Sequence, residues 1–196
     1  MINIKIVLAS SSPRRRDLLK QIGLDFTVIN PNIDETNNMK MSATQLVKFL
    51  AYEKALCVAK ELSENREDCL VIGADTVVVK DCILGKPKDE KEAFEMLKHL
   101  QGDWHNVMTG IAVINTNNLK GKKSVEITKV KMKEMSDDSI KAYIQSKEPF
   151  DKAGAYGIQG LGSIIVERLN GCYFNVVGLP LSKLNTLLNE FGVYLV

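Results

Sequence analysis

The chain has 196 residues, 45% of them hydrophobic, with 26 basic and 24 acidic side chains and a net charge of +2. This length and apolar content support one domain of 1–196, built as a single core or two lobes, and the balanced charge argues against broad nucleic-acid binding, which needs a basic surface. The N-terminus meets Pro13 and three arginines too soon for a signal peptide, no run of about 18 apolar residues reads as a membrane span, and the scattered Cys57, Cys69, Cys82 and Cys172 fit a reducing cytosol better than a disulfide framework or metal cluster.

Residues 4–9 read as a strand. Ser10-Ser11-Ser12-Pro13 follows, then a helix over residues 14–22 that Gly23 ends. Ser12 is placed to cap this helix, and Pro13 suits its first turn. Leu18, Leu19 and Ile22 form the apolar stripe, with Arg14 and Arg15 together at the N-terminal end. The helix macrodipole disfavours cations there. Two guanidiniums beside serine hydroxyls and the N–H groups of a helix start therefore point to an anion site.

Residues 26–29 are a second strand, and residues 30–41 a polar loop holding Asp34 and Glu35. A long helix over residues 43–62 has its stripe at 43, 46, 47, 50, 51, 54, 55, 58, 59 and 62. Every stripe position is Ala, Leu or Val except Lys54. A lysine there either snorkels to solvent or points into a cleft, and the cleft is expected.

Residues 70–79 are apolar on both faces and read as a strand buried on both sides. Asp75 lies in its middle. Burying an unpaired carboxylate costs several kcal/mol, so a cation, a metal or a water-filled cleft must meet it. Gly73 is two residues away on the same face, which leaves room for a ligand to approach the backbone.

Asp81-Cys82 reads as a turn, and residues 83–87 lead to a helix over 89–100 that Gly102 stops. Strands follow at 107–114 and 125–132, joined by a hairpin at Asn117-Asn118 and Gly121. Ser136 caps a short helix carrying Ile140, Tyr143 and Ile144. Residues 150–178 are glycine-rich, with one strand at 163–169, and the glycines read as tight turns or close approach to a ligand. Pro180 opens the last helix, with Leu181, Leu184 and Leu188 inward. The architecture is mixed α/β.

The unusual residues are the cations Arg14, Arg15, Lys54 and Lys86, the carboxylates Asp34, Glu35, Asp75 and Asp151, and the polar Thr76 and Gln159. Several cations with a few acids describe a polyphosphate and divalent-metal site. P-loop, H-E-x-x-H, G-x-G-x-x-G and G-x-S-x-G patterns are all missing from the sequence. The residues alone describe a phosphate-handling α/β protein.

Seven segments extend this reading. They are Leu8-Ala9-Ser10-Ser11-Ser12-Pro13-Arg14-Arg15, Ile33-Asp34-Glu35, Glu53-Lys54-Ala55, Gly73-Ala74-Asp75-Thr76, Gly85-Lys86-Pro87, residues 151–160 and Val177-Gly178-Leu179-Pro180-Leu181. In that order they resemble the Maf family of septum-formation-related nucleotide pyrophosphatases. The resemblance implies a fold like that of inosine triphosphate pyrophosphatases: a bent mixed sheet flanked by helices, two lobes and a central cleft. It implies hydrolysis of nucleoside triphosphates to monophosphate and pyrophosphate with Mg²⁺ or Mn²⁺, and it suggests a homodimer; the balanced charge and the lack of a long apolar run set the expectation of no nucleic-acid or membrane partner. Asp75 would be the general base. Ser10, Arg15, Lys54 and Lys86 would bind phosphate, and Glu35 with Asp75 would hold the metal.

A branch similar to enzymes for 7-methyl-GTP carries Trp before its Arg pair, Gln after its Asp, and a late Ser-Glu-Gly. Here Pro13-Arg14-Arg15, Asp75-Thr76 and Ile158-Gln159-Gly160 match the branch for dTTP and UTP, with modified pyrimidine triphosphates a further class. Arg14, Thr76 and Gln159 would set selectivity, since a Gln amide offers donor and acceptor together to a pyrimidine edge. Ser11 stands where the family often has Gly. The rival expectation is a nucleotide-binding regulator of cell division or septum formation without catalysis.

Overall fold

A computed structural model describes residues 4–34 and 41–196. The elements are β1 (Lys5–Ala9), α1 (Pro13–Gln21), β2 (Thr27–Ile29), α2 (Ala43–Glu64), β3 (Cys69–Lys80), β4 (Cys82–Leu84) and α3 (Glu90–Leu100). They continue with β5 (Trp104–Asn115), β6 (Gly121–Met132), α4 (Asp137–Gln145), β7 (Val166–Asn170), α5 (Tyr173–Val177) and α6 (Leu181–Asn189). The strands form a seven-stranded mixed sheet in the order β2-β1-β3-β5-β6-β7, with β4 beside β3. The chain forms two compact units, the first of Met1–Asp75, Thr109–Glu126 and Gly178–Val196, the second of Thr76–Met108 and Ile127–Val177.

In the first unit β1 runs parallel to both neighbours, with Val7 opposite Thr27 of β2 and Val71 of β3. Parallel strands need crossover connections, which α1 and α2 supply. A capping box opens α2: Ser42 Oγ accepts the Gln45 N–H, and Gln45 Oε1 accepts the Ser42 N–H. The helix buries Ala51, Ala55, Val58, Ala59 and Leu62 against Val7, Ala9 and Val71.

Small side chains let α2 come close to the sheet. A Cβ on Gly73 would meet the Ala51 carbonyl oxygen and lie 2.9 Å from the Ala55 nitrogen. The room expected at Gly73 for a ligand is therefore occupied by α2. This close approach carries the Lys54 turn of the helix to the same strand that bears Asp75.

In the second unit Asp89 caps α3, its Oδ1 accepting the Glu92 N–H at 2.8 Å. Ala93, Leu97 and Leu100 of α3 pack with Val107, Met132, Ile140 and Tyr156. β6 and β7 pair antiparallel, Val130 opposite Leu169. Among the described residues, no helix is long and apolar enough to cross a membrane. All four cysteines are free.

Some elements depart from expectation. The strand foreseen at 163–169 begins only at Val166, because residues 160–164 coil into a 3₁₀ turn. Ser163 Oγ donates to the Gly160 carbonyl at 2.7 Å, a local bond that competes with a strand ladder. Cys82, read as a turn residue, starts β4, which folds back on β3 through Asp81 at φ 56°. The helix α5 was not foreseen. Ser12 occupies the cap position of α1, yet its side chain makes no capping hydrogen bond.

The contact at Gly73 sets a stability prediction. Gly73→Ala forces α2 off β3 and lowers the unfolding free energy by about 1–3 kcal/mol in urea titration. Gly85→Ala, where nothing lies within 4 Å of the new Cβ, stays within about 0.5 kcal/mol of the parent.

Candidate active site

In the first unit Asp75 is 8% exposed, and its Oδ1 lies 2.6 Å from Lys54 Nζ. Both side chains are largely out of water, 13% exposed for Lys54 and 12% for Asp75. The cation that interrupts the helical stripe is thus the one that meets the acid interrupting the strand. A bond this short between charged groups is a strong, charge-assisted one. Removing one partner of such a buried pair leaves the other uncompensated, typically at about 3–5 kcal/mol. Lys54 spends one of three ammonium donors on this bond.

Arg15 supports the same strand. Its Nε donates to the Gly178 carbonyl at 2.8 Å, and its Nη1 donates to the Ala74 carbonyl at 2.9 Å and to Ser10 Oγ at 3.3 Å. Ser10 is buried, and its Oγ also accepts the Ser12 N–H at 3.2 Å. These three bonds direct much of a fork expected to face phosphate toward the chain's own oxygens. One of them is on the residue that precedes Asp75. Arg14 is half-buried beside it.

Thr76, Lys86, Asp151 and Gln159 belong to the second unit. Thr76 is half-buried, while Lys86 and Gln159 are exposed. The Gly154 N–H donates to the Gly85 carbonyl at 2.9 Å, tying the segment that bears Gln159 to the residue before Lys86. Asp151 pairs with Lys152 at 2.7 Å, and Lys152 Nζ also donates to the Glu148 carbonyl at 2.6 Å. Asp34 is exposed, and Glu35 lies outside the described residues. Among the described residues no group of three or more His, Cys, Asp or Glu side chains forms a metal cage.

One buried pair in the second unit escaped the sequence reading. His105 is 3% exposed, and its Nε2 lies 2.5 Å from Tyr156 Oη. Its inward phase with Val107 and Thr109 on β5 was the available clue. Among the described residues, His105 Nδ1 has no hydrogen-bond partner. Burial pushes the imidazole down to about 4, Lys80 pushes in the same direction, and Asp103 opposes them.

The neutral ring is therefore favoured in the folded state. As pH falls below the ordinary histidine value the unfolded chain takes up a proton that the folded chain refuses, so stability drops. Between about pH 7 and about pH 5 this one group removes about 2 kcal/mol. Urea midpoints at the two pH values will show that loss in the parent and a much smaller one in His105→Asn.

The model of the family described as Maf-like protein matches residues 5–191. A "dTTP/UTP pyrophosphatase" of Acetivibrio thermocellus is 63% identical over 193 residues, covering 97% of this chain and 96% of that one. Proteins of the same description from Thermoanaerobacter sp. (strain X514) and Caldicellulosiruptor bescii are 53% and 50% identical. They cover 98% and 96% of this chain, and 100% and 95% of their own lengths. A solved nucleoside-triphosphatase (dITP/XTP pyrophosphatase) from Mycobacterium abscessus aligns at TM-score 0.38 and 12% identity, over 66% of this chain and 73% of that one, too slight a likeness to argue from. With a match that runs nearly end to end, through the segments that carry Ser10, Lys54, Asp75, Lys86 and Gln159, the chain belongs to the Maf family.

Proposed function

We propose that this chain is a nucleoside triphosphate pyrophosphatase that hydrolyses dTTP and UTP to the monophosphate and pyrophosphate. The observation that carries the reading is the buried Asp75–Lys54 pair, in a chain whose relatives at 50–63% identity are described as dTTP/UTP pyrophosphatases. An ionised carboxylate accepts protons, and its second oxygen and remaining lone pairs serve a water molecule while Lys54 orients the group.

In the proposed step a water oxygen bonds to the α-phosphorus as its proton passes to Asp75. The bond from the α-phosphorus to the bridging oxygen breaks, and pyrophosphate leaves with that electron pair. Arg14, Arg15, Lys54 and Lys86 offset charge on the phosphate chain, and Ser10 hydrogen bonds to it. For Arg15 that task is shared with its bonds to Ala74, Gly178 and Ser10. Thr76 and Gln159, with Arg14, set the base preference.

A divalent cation such as Mg²⁺ or Mn²⁺ fits this donor set. Mg²⁺ keeps several waters and asks for only one or two carboxylates plus substrate phosphates, so Asp75 would hold it, with Glu35 as the second ligand that the family resemblance implies. When bound, the cation screens the charge of the phosphates.

A product assay with Mg²⁺ tests the reading. dTTP and UTP should give equimolar monophosphate and pyrophosphate, with purine triphosphates cleaved more slowly. Survival of dTTP and UTP under conditions where purine triphosphates are cleaved contradicts the substrate assignment. Tight nucleotide binding with no pyrophosphate release would instead favour a nucleotide-binding regulator.

A further inference from the structure

Gln159 stands on a built support. On its N-terminal side the Gly157 N–H donates to Tyr143 Oη at 3.3 Å. On its C-terminal side the Leu161 and Gly162 N–H groups donate to Oε1 and Oε2 of Glu148 at 2.9 and 3.3 Å. The Glu148 carboxylate also acts on the Tyr143 hydroxyl electrostatically and helps to raise it. Two side chains therefore hold the backbone on both flanks of an exposed amide.

The support is sterically tight. A Cβ on Gly160, which has φ +62°, would lie 2.6 Å from Glu148 Oε1. A Cβ on Gly162 would meet the Gly157 carbonyl oxygen and lie 2.9 Å from Tyr143 Oη. The close approach foreseen for glycines in this region is thus, at 160 and 162, an approach to the chain's own Glu148 and Tyr143. Burial pushes the Tyr143 hydroxyl up to about 12, so it remains protonated.

We infer that Glu148, together with Tyr143, is a positioning residue for base recognition: it holds residues 157–162 so that Gln159 presents its amide to the nucleobase. This rests on the proposed reading of Gln159 as a selectivity residue. Glu148 does not touch the substrate and acts through the loop. Its carboxylate takes two adjacent N–H groups, one on each oxygen, an arrangement that a glutamine reproduces only in part, since its amide has one oxygen.

The test uses Glu148→Gln, Tyr143→Phe and Gln159→Ala, with dTTP and dGTP as probes, and combines steady-state kinetics with amide hydrogen exchange of the 157–162 segment. In Glu148→Gln, exchange at Leu161 and Gly162 should rise about tenfold, and the dTTP-over-dGTP ratio of kcat/KM should fall about fivefold, through KM rather than kcat. Tyr143→Phe keeps the buried ring, removes only the hydroxyl, and should move both readouts in the same direction should Glu148→Gln fail to fold.

A folded Glu148→Gln with parent-like exchange overturns the inference. So does a folded Glu148→Gln that keeps the parent ratio while Gln159→Ala lowers it. An unchanged ratio in Gln159→Ala removes Gln159 from base recognition and takes the inference with it. The exchange data distinguish that failure from a failure of Glu148 to hold the loop.

Discussion

The first unit depends on how a carboxylate is kept ionic inside a strand with almost no water around it. Asp75 survives there because Lys54 reaches it across the α2–β3 interface at 2.6 Å. That reach exists only because Ala51, Ala55 and Gly73 bring helix and strand nearly into backbone contact. Larger residues at those positions would push the ammonium away and leave two poorly solvated charges apart, each several kcal/mol out of place. The packing of small residues and the chemistry of the acid are thus one constraint.

Each unit holds the main chain beside a side chain proposed to act on substrate, largely with bonds from other side chains. In the first, Arg15 gathers the carbonyls of Ala74 and Gly178 and the hydroxyl of Ser10, which fixes the backbone one residue before Asp75. In the second, Tyr143 and Glu148 take the N–H groups around Gln159, and Gly154 binds the carbonyl before Lys86. Side chains proposed to meet substrate need such support, since small displacements are costly in catalysis and recognition.

Asp75 and Lys54 were legible in the sequence because each breaks a pattern: an acid in a doubly buried strand and a cation in an alanine-leucine stripe. That they answer each other was not legible, since 21 residues and a helix-to-strand connection separate them. Arg15 read as an anion-binding cation because a helix start disfavours positive charge. Carbonyls 59 and 163 residues away supply much of the compensation instead, and no local pattern announces them. Tyr143 read correctly as a helix-core residue, yet periodicity speaks for the ring and is silent on the hydroxyl. The strand foreseen at 163–169 was half right, because side-chain bonds such as Ser163 to Gly160 compete with β-structure in ways that hydrophobic alternation does not register.

The central claim is that the Lys54-paired carboxylate takes the proton of the attacking water. Asp75→Asn keeps the size of the side chain and an oxygen for Lys54 while losing its basicity. Single-turnover hydrolysis of dTTP, alongside nucleotide binding and thermal melting, measures it most directly. A variant that is less stable, because Lys54 loses its counter-charge, yet still folds and binds dTTP, with turnover lower by about 10²–10⁴, is the predicted result. Turnover within a few-fold of the parent would contradict the account.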